Sequence, residues 1–233
     1  MITVISLGGS IVAPDKPDAA YLSAFKALIE ACLAKDAASR FILVVGGGGP
    51  ARQYQEAYRA VAGAGIGSGG AAADEADWIG IMATRLNAQL VRAVFAAHTQ
   101  ENVVTDPTAP FDWEGRVLVA AGWQPGFSSD NDAVLLAARF GAKRLINLSN
   151  IEKVYTADPK IDPSARPIDA ISWKDFRALV GDEWSPGKNV PFDPIASKHA
   201  ESAGLTVICA AGKNLENLKN ILRGGPFTGT TIG

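Results

Sequence analysis

The chain has 233 residues, of which 22 are basic and 24 acidic, so its formal net charge is −2. This near balance creates no field that would draw the protein to nucleic acid or to an anionic membrane, and we expect neither as a partner. Hydrophobic residues make up 48% of the sequence, which is too apolar for a disordered chain. The longest apolar stretches fall well short of the roughly 20 residues that span a bilayer. The composition therefore predicts a soluble globular protein.

The cysteines and the N-terminus indicate the compartment. Cys32 and Cys209 are the two cysteines and they form no CxxC pair, so we expect neither a disulfide framework nor a redox motif. The first residues lack the basic region, apolar run and cleavage site of a secretory signal. We therefore expect a reducing, cytoplasmic environment.

Strand and helix signals alternate along the chain. Short apolar runs rich in β-branched residues predict buried strands at residues 2–7, 41–45, 117–121, 144–148 and 205–209. Apolar periodicity and capping residues predict helices at residues 21–33, 50–61, 74–97, 130–140, 173–179, 195–203 and 214–222. Asp18 and Ser172 are expected to cap two helices, and Pro50 suits the first turn of another. This order predicts a mostly parallel sheet with helices on both faces, which binds ligands at the carboxyl ends of its strands.

Two segments interrupted by proline and glycine, residues 62–73 and 152–167, are expected to be loops or flaps over the ligand crevice. Because neither segment is typical of a linker between domains, we expect residues 1–233 to form a single domain. Residues 65–70 match G-x-G-x-x-G, but the dinucleotide fingerprint requires a preceding strand, and residues 54–61 are predicted to be helical. We interpret this match as a loop.

Glycine clusters follow the first two predicted strands. Gly8-Gly9-Ser10 and residues 46–49 offer backbone N–H groups that a ligand can approach without a Cβ in the way. The second cluster leads into a helix whose positive N-terminal end favours an anion, and Arg52 adds a forked donor. We interpret these features as a phosphate cradle. The alternative is that the glycines only permit tight turns and close packing.

A third polar loop, residues 122–130, joins a predicted strand to a predicted helix. Its proline and glycine favour a rigid turn, its two serines and one carboxylate offer directional hydrogen bonds, and Trp123 or Phe127 can contact a planar ring. Helix capping by Ser129 or Asp130 is the alternative, but capping alone does not explain the density of polar groups. The loop is therefore interpreted as a ligand contact.

Several other site types are not expected. The chain contains neither G-x-x-x-x-G-K-[ST] nor G-x-S-x-G, which excludes a P-loop and a hydrolase nucleophile elbow. His98 and His199 stand apart from cysteines and from carboxylate clusters in the sequence. No protein-held metal site is predicted from these residues.

Taken together, these stretches resemble the amino-acid kinase family, and within it the archaeal-type uridylate kinases, over essentially the whole chain. The resemblance is carried by LGGS at 7–10, GGG and AR within 46–52, DWIGI and TRLNA within 77–88, QPGFSSD at 124–130, VYTADPK at 154–160, DPIASK at 193–198 and GTTI at 229–232. These pieces occur in the order and at the spacing of the family.

The resemblance implies an αβα sandwich that transfers the γ-phosphoryl group of MgATP to the phosphate of UMP, yielding UDP for pyrimidine nucleotide biosynthesis. ATP and Mg²⁺ are the implied cofactors, with an acceptor-binding half at about residues 1–140 and an ATP-binding half at about 141–233. The implied ATP-binding residues are Gly9, Ser10, Gly48, Arg52, Ser149, Asn150, Tyr155 and Asp158. The implied UMP-binding residues are Gly47, Asp77, Trp123, Gln124, Pro125, Gly126, Phe127, Ser128 and Ser129.

The implied catalytic residues are Arg52, Lys198 and Asn150. Phosphoryl transfer depends on positioning and charge neutralisation, which two cations and a cradle of N–H groups supply beside magnesium. Asp77 could accept hydrogen bonds from ribose hydroxyls, although an acidic residue near a helix N-terminus is an equally good interpretation.

The chain departs from the family pattern at four places. Many members carry a lysine two residues before the Gly-Gly pair, whereas this chain has Ser6. The usual Asn-Val-Asp-Gly-Val-Tyr run reads NIEKVY at residues 150–155, which removes a glycine that can adopt positive φ. Ser128-Ser129 replaces Thr-Thr and keeps both hydroxyls, while Trp123 replaces a smaller residue and narrows the acceptor pocket.

These departures leave two alternatives to a UMP kinase. Trp123 motivates a sister kinase with another small acid or phosphate as acceptor. Ser6, Glu152 and Lys153 motivate a non-catalytic protein that stores or senses a nucleotide or oxyanion on the same fold. The resemblance also implies a homo-oligomer, a homohexamer, with apolar contacts from the helix at residues 21–33 or from the helix that starts near Asp74.

Overall fold

The computed structural model describes residues 1–62, 71–181 and 190–233. The helices are α1 (Gly9–Val12), α2 (Ala19–Lys35), α3 (Gly48–Ala62), α4 (Ala71–Val94), α5 (Ser129–Arg139), α6 (Trp173–Val180), α7 (Pro194–Ser202) and α8 (Leu215–Arg223). The strands are β1 (Ile2–Leu7), β2 (Arg40–Val45), β3 (Val117–Ala120), β4 (Arg144–Ser149), β5 (Val154–Tyr155), β6 (Pro167–Ile168), β7 (Ala170–Ile171), β8 (Thr206–Ala211) and β9 (Thr230–Ile232).

Within these residues, seven strands form one sheet in the order β3-β2-β1-β4-β8-β9-β7. The first five strands in that order run parallel to their neighbours. β9 is antiparallel to β8, and β7 is parallel to β9. The predicted mostly parallel sheet is confirmed. Because parallel strands need crossover connections, the carboxyl ends of β1, β2, β3, β4 and β8 meet at one edge of the sheet.

The two faces of the sheet carry separate hydrophobic cores. Val4 and Ile42 lie in the core that the sheet shares with α5, α6 and α7. Ile5 and Leu43, the next residues along the same strands, lie in the core shared with α2, α4 and α8. Successive strand residues point to opposite faces, so strands that are apolar throughout are buried on both sides. The three-layer αβα sandwich is therefore confirmed.

The predicted helix starts are reproduced closely where a capping side chain is present. The Asp18 carboxylate accepts a hydrogen bond from the Tyr21 amide at 3.0 Å and caps α2, and Ser172 caps α6 in the same way. α4 begins at Ala71 instead of residue 74 and ends at Val94 instead of residue 97. Its alanine-rich start explains the earlier boundary, since alanine has the highest helix propensity.

One local prediction is wrong: Gly9, expected in the loop after β1, is the first residue of α1, so the chain turns into a short helix directly after Gly8. Residues 152–167, expected to be loops or flaps, are irregular except for β5 and Pro167, and β5 pairs antiparallel with β6. A two-residue strand shows no periodicity in the sequence, and here the Val154 amide is held by the Thr230 hydroxyl at 2.8 Å.

The G-x-G-x-x-G match at residues 65–70 lies outside the described residues. In the part of the chain that the structure describes, no helix combines the length and the hydropathy that a bilayer crossing requires.

Candidate active site

The glycine ends of β1 and β2 pack directly against each other at the carboxyl edge of the sheet. A Cβ on Gly9 would lie 2.6 Å from the Gly47 amide nitrogen, and a Cβ on Gly47 would lie 2.6 Å from the Cβ of Ala51. Gly48 opens α3 with a φ of +67°, a conformation that favours glycine. Close packing thus requires these glycines, and it also brings the first turn of α3, whose N–H groups have no intrahelical partners, beside Gly9.

Two polar side chains flank these glycines. Arg52 lies on α3 and is exposed, and its Nη2 donates a hydrogen bond to the Pro14 carbonyl at 3.2 Å. Ser10 is half-buried on α1. The single bond of Arg52 to a loop carbonyl leaves most of its five donors available for an anion.

The end of β4 joins the same edge. The Gly8 amide donates to the Leu148 carbonyl at 2.9 Å, which places Ser149 and the exposed Asn150 next to the glycine end of β1. Ser149 also receives a hydrogen bond from the Ile151 amide at 3.4 Å, through its Oγ. The structure therefore brings the sequence-predicted residues Ser149 and Asn150 to the glycine end of β1, next to Gly8.

Tyr155 and Asp158 lie farther along the chain, in and after β5. Tyr155 is half-buried and pairs with Pro167 in the two-stranded sheet. Asp158 is exposed, and its carboxylate accepts a hydrogen bond from the Lys160 amide at 2.9 Å. This short turn is connected to the main sheet through the Val154 amide and the Thr230 hydroxyl.

A carboxylate lies at the centre of the carboxyl edge of the sheet. From the sequence it is interpreted only as a capping or loop group. Asp130, on the first turn of α5, accepts a hydrogen bond from the Ser6 hydroxyl at 2.9 Å, and its Oδ2 lies 3.4 Å from the Asp193 amide nitrogen. Burial raises the pKa of Asp130 to about 6, and the charge of Asp193 adds to the rise, while the Ser6 hydrogen bond opposes it. Ser6 thus stands at the position where many members of the family that the chain resembles carry a lysine, and it contacts a carboxyl group.

Asp193 is the second carboxylate of this centre. Its Oδ1 accepts a hydrogen bond from the Ala196 amide at 2.7 Å and caps α7, whereas its Oδ2 is buried without a hydrogen-bond partner. Burial raises the pKa of Asp193 as well, and the Ala196 and Ser128 hydrogen bonds oppose the rise. Lys198 lies half-buried on the same helix. Both aspartates stand inside the resemblance motifs, which is the signal that could have identified them.

These two carboxylates fit a magnesium ion. Among residues 1–62, 71–181 and 190–233, no group of three or more metal-ligating side chains occurs. Mg²⁺ commonly binds through one or two carboxylates together with substrate phosphates, so a full protein cage is not required. The unpartnered Oδ2 of Asp193 beside Asp130 is a suitable donor for such a shared ion.

The loop between β3 and α5 is held against α4. The Gly126 amide donates to the Asp77 carboxylate at 2.9 Å, and burial raises the pKa of Asp77 despite this hydrogen bond. The Trp123 and Phe127 rings lie 5.0 Å apart between centroids, with their planes inclined by 36°. Asp77 thus contacts the loop that the sequence predicts to bind the acceptor.

The N-cap of α5 is not one of the two residues, Ser129 and Asp130, that the sequence suggested as caps. Ser128, and not Ser129 or Asp130, is the N-cap, because its Oγ accepts a hydrogen bond from the Asn131 amide at 3.3 Å. The Ser128 hydroxyl also contributes to lowering the pKa of Asp193. Ser128 is therefore engaged within the protein, while Ser129 is the first residue of α5.

Three polar residues of α4 connect it to the loops at the edge, and the sequence analysis gave them no role. The Thr84 hydroxyl accepts a hydrogen bond from the Gly122 amide at 2.8 Å. Arg85 donates to the carbonyls of Gly122 and Trp123 at 3.2 and 2.8 Å. Asn87 binds the second glycine cluster, because its Nδ2 donates hydrogen bonds to the Gly46 and Gly47 carbonyls at 2.9 and 3.0 Å. This explains why a polar TRLN run occurs on a largely apolar helix.

The changed run at residues 150–155 and the two histidines have local contacts within the protein. Among the described residues, no residue other than glycine has a positive φ, so residues 150–155 form their turn without the left-handed conformation. Lys153 forms an ion pair with Asp169. His199 hydrogen-bonds through Nδ1 to Asn131 Oδ1 at 2.7 Å, and His98 contacts Glu30 at 3.3 Å.

Comparisons with known proteins agree with this architecture. The profile of the amino acid kinase family matches residues 1–211. The chain is 35% identical over 230 residues to a uridylate kinase of Hyperthermus butylicus, covering 95% of this chain and 93% of that protein. It is 34% identical over 236 residues to a uridylate kinase of Methanospirillum hungatei, covering 98% and 93%. The crystal structure of the Archaeoglobus fulgidus uridylate kinase matches with a TM-score of 0.81 at 32% identity, over 100% of both chains. The chain therefore belongs to the amino acid kinase family.

Proposed function

We propose that the protein is a uridylate kinase, which transfers the γ-phosphoryl group of ATP to UMP and releases UDP and ADP in pyrimidine nucleotide synthesis. The observation that carries the proposal is the full-length similarity to proteins named uridylate kinase, at 35% and 34% identity. The convergence of two glycine clusters, two aspartates and an aromatic loop at one sheet edge supports the same reaction, because phosphoryl transfer needs positioning and charge neutralisation.

The ATP phosphates would lie on the amides around Gly9 and Gly48. Asp130 and Asp193 would hold the magnesium ion together with these phosphates, and the ion would neutralise charge on the transferred group. Ser10, Ser149, Asn150, Tyr155 and Asp158 remain the proposed lining of the ATP half. The cytoplasm is the expected location.

The cations would act on the transferred group. Because Ser6 supplies no charge where many relatives have a lysine, Arg52 and Lys198 would stabilise the negative charge that spreads over the phosphoryl oxygens in the transition state. Asn150 would add a neutral donor at the end of β4. These are the proposed catalytic residues.

The acceptor would lie between α4 and the loop before α5, with Gly47, Asp77 and residues 123–129 around it. In the ligand-free protein Asp77 already accepts a hydrogen bond from the Gly126 amide, and one further carboxylate oxygen is available for ribose hydroxyls. The Ser128 hydroxyl is engaged as a helix cap, so we expect Ser129 and backbone groups to contribute more to reading the base.

A coupled ADP-release assay with MgATP tests the proposal directly. We expect kcat/KM for UMP to exceed the value for AMP or GMP at least about tenfold, since a pocket narrowed by Trp123 excludes purines and its polar groups pair with one base edge. Equal turnover of UMP and AMP would overturn the pyrimidine site. Turnover of carbamate, acetylglutamate or isopentenyl phosphate in place of UMP would establish a sister kinase, and tight nucleotide binding with no ADP release would establish a storage or sensing protein.

We also propose a homo-oligomer, a homohexamer, with α4 at a contact. Trp78, Met82, Leu86 and Leu90 are exposed at four-residue intervals, so they form one apolar stripe along α4. Such a stripe can pair with its own copy about a twofold axis. The apolar face of α2, the other segment considered, is buried within the subunit, which favours α4.

Light scattering tests this assembly. We expect Leu86→Glu to lower the oligomer mass, because a charge would enter the stripe, whereas Ile161→Glu, at an exposed residue outside the stripe, should leave it unchanged. A wild-type protein that is a stable monomer at micromolar concentration would contradict the proposal.

A further inference from the structure

The acceptor loop, residues 122–127, is held by charged side chains from outside the loop. Arg85 of α4 donates to the carbonyls of Gly122 and Trp123 at 3.2 and 2.8 Å. The Trp123 amide donates to Asp132 Oδ2 of α5 at 3.2 Å. The peptide groups around Trp123 are therefore held by a cation at two carbonyls and by a carboxyl group at the amide.

The indole of Trp123 has its own contacts. Hydrogen bonds lower the pKa of Asp106, those from Thr108 foremost and one from the Trp123 side chain among the others. The ring also packs on Phe127 at 5.0 Å between centroids. Because the backbone and the side chain of Trp123 are both held, the position of the aromatic pair follows from the position of the backbone at residue 123.

Arg85 and Asp132 are both shielded from solvent. Asp132 has no exposed surface, and Arg85 is half-buried with its guanidinium 5.6 Å from the Trp78 ring centroid. Burial raises the pKa of Asp132 to about 7; the charge of Arg85 opposes the rise, whereas the charges of Asp130 and Asp106 add to it. Arg85 therefore supplies the positive charge that balances the carboxyl groups around Trp123.

We propose that Arg85 and Asp132 are positioning residues that hold the acceptor loop in its binding conformation, and that they set the affinity and selectivity for the acceptor nucleotide. The identity of the acceptor rests on the proposed function; the holding of the loop does not. A loop held in one conformation loses less entropy when a ligand binds, so releasing it weakens binding of the acceptor. In the part of the chain that the structure describes, these hydrogen bonds of Arg85 and Asp132 go to Gly122 and Trp123, so ATP binding at the glycine clusters of β1 and β2 should change little.

Steady-state kinetics with substitutions on both sides of the loop tests this proposal. We expect Arg85→Met to raise KM for UMP at least about tenfold and to change KM for ATP less than about twofold. Arg85→Lys keeps the charge but loses the forked donor, and it should restore part of the UMP affinity. Asp132→Asn keeps an acceptor oxygen for the Trp123 amide, and it should bind UMP better than Asp132→Leu does.

Arg92→Met is the matched control. Arg92 lies two turns farther along α4, and its guanidinium donates to the Glu101 carbonyl at 2.6 Å, so the substitution removes a comparable arginine–carbonyl contact away from the loop. We expect it to leave both KM values unchanged. Equal increases of the two KM values in Arg85→Met, or none, would overturn the proposal.

Hydrogen exchange of the ligand-free protein tests the loop without any acceptor. The amides of residues 122–124, 126 and 127 should exchange at least about tenfold faster in Arg85→Met than in the wild type or in Arg92→Met, because opening of the loop becomes easier. Unchanged exchange would overturn the proposal even if UMP is the acceptor. Faster exchange in a protein that does not phosphorylate UMP would support the holding of the loop and would contradict only the proposed function.

Discussion

Substitution of Asn87 allows an effect on stability to be distinguished from an effect on activity. Its side chain is 3% exposed and donates to the Gly46 and Gly47 carbonyls at 2.9 and 3.0 Å. Asn87→Leu keeps the branched shape and the number of heavy atoms of the side chain but removes both hydrogen bonds and leaves two carbonyls without these partners. At about 1 kcal/mol for each bond, with a further penalty for buried unpaired groups, we expect a loss of about 2–4 kcal/mol of unfolding free energy.

Asn217→Leu is the control, because Asn217 makes an equivalent pair of bonds at the far end of the chain. It is 8% exposed, its Nδ2 donates to the Thr228 carbonyl at 2.6 Å, and its Oδ1 accepts from the Thr228 amide at 2.8 Å. Urea denaturation should give a similar loss of about 2–4 kcal/mol for this variant. The two substitutions are thus matched in burial and in the number of bonds.

The two variants should differ in activity. Asn87→Leu frees the carbonyl side of the glycine cluster that lines both proposed substrates, so kcat/KM should fall at least about tenfold, which is about 1.4 kcal/mol of transition-state binding. Asn217→Leu should change kcat/KM less than about twofold at a temperature where both variants are folded. Equal losses of activity would show that the effect is one of stability, and full activity in Asn87→Leu would refute the reasoning.

Three further predictions concern the same edge. Gly9→Ala would place a Cβ 2.6 Å from the Gly47 amide nitrogen, and we expect urea titrations to show a loss of at least about 2 kcal/mol of unfolding free energy. Gly225→Ala is the control and should change the unfolding free energy little, because the atom nearest to its Cβ would be 3.7 Å away. Burial raises the pKa of Asp132 to about 7, so ionisation of this carboxyl group lowers the stability of the wild type as pH rises from about 4 to 7. The unfolding free energy of Asp132→Asn minus that of the wild type should therefore increase over that range. A difference that does not change with pH would contradict the raised pKa. Arg52→Ala and Lys198→Ala should each lower kcat more than they raise KM for UMP, because their charges act mainly on the transition state; a rise in KM with kcat intact would remove that residue from the catalytic role.

The fold was predictable because its signals are local. Strands such as β2, which is apolar from Phe41 to Val45 and is followed by glycine, are typical of a parallel sheet buried on both faces. Asp18 and Ser172 cap their helices as the sequence indicates, since capping depends on neighbouring residues. The strands β5, β6, β7 and β9 were not predicted, because pairing of two or three residues is decided by partners elsewhere in the chain.

The candidate site was predictable only in part. The resemblance motifs led to the glycine clusters, Asn150 and the aromatic loop, and the structure brings Gly9, Gly47, Gly48 and Asn150 to one edge. It did not lead to the contact of Ser6 with Asp130, because these residues are 124 positions apart in the chain. Nor did it assign the Ser128 hydroxyl to the helix cap, since Ser128, Ser129 and Asp130 are all good capping residues by type.

The sequence by itself determined the alternation of strands and helices, the glycine ends of β1 and β2, and the family to which the chain belongs. These properties depend on residue type and on neighbours within a few positions. Only the tertiary structure decided which polar groups meet: Asp130 with Ser6, Trp123 between Arg85 and Asp132, and Asn87 beneath the glycine carbonyls. The physical reason is that a buried polar group must find a partner, and the partner is chosen by the packing of strands and helices that are far apart in the chain.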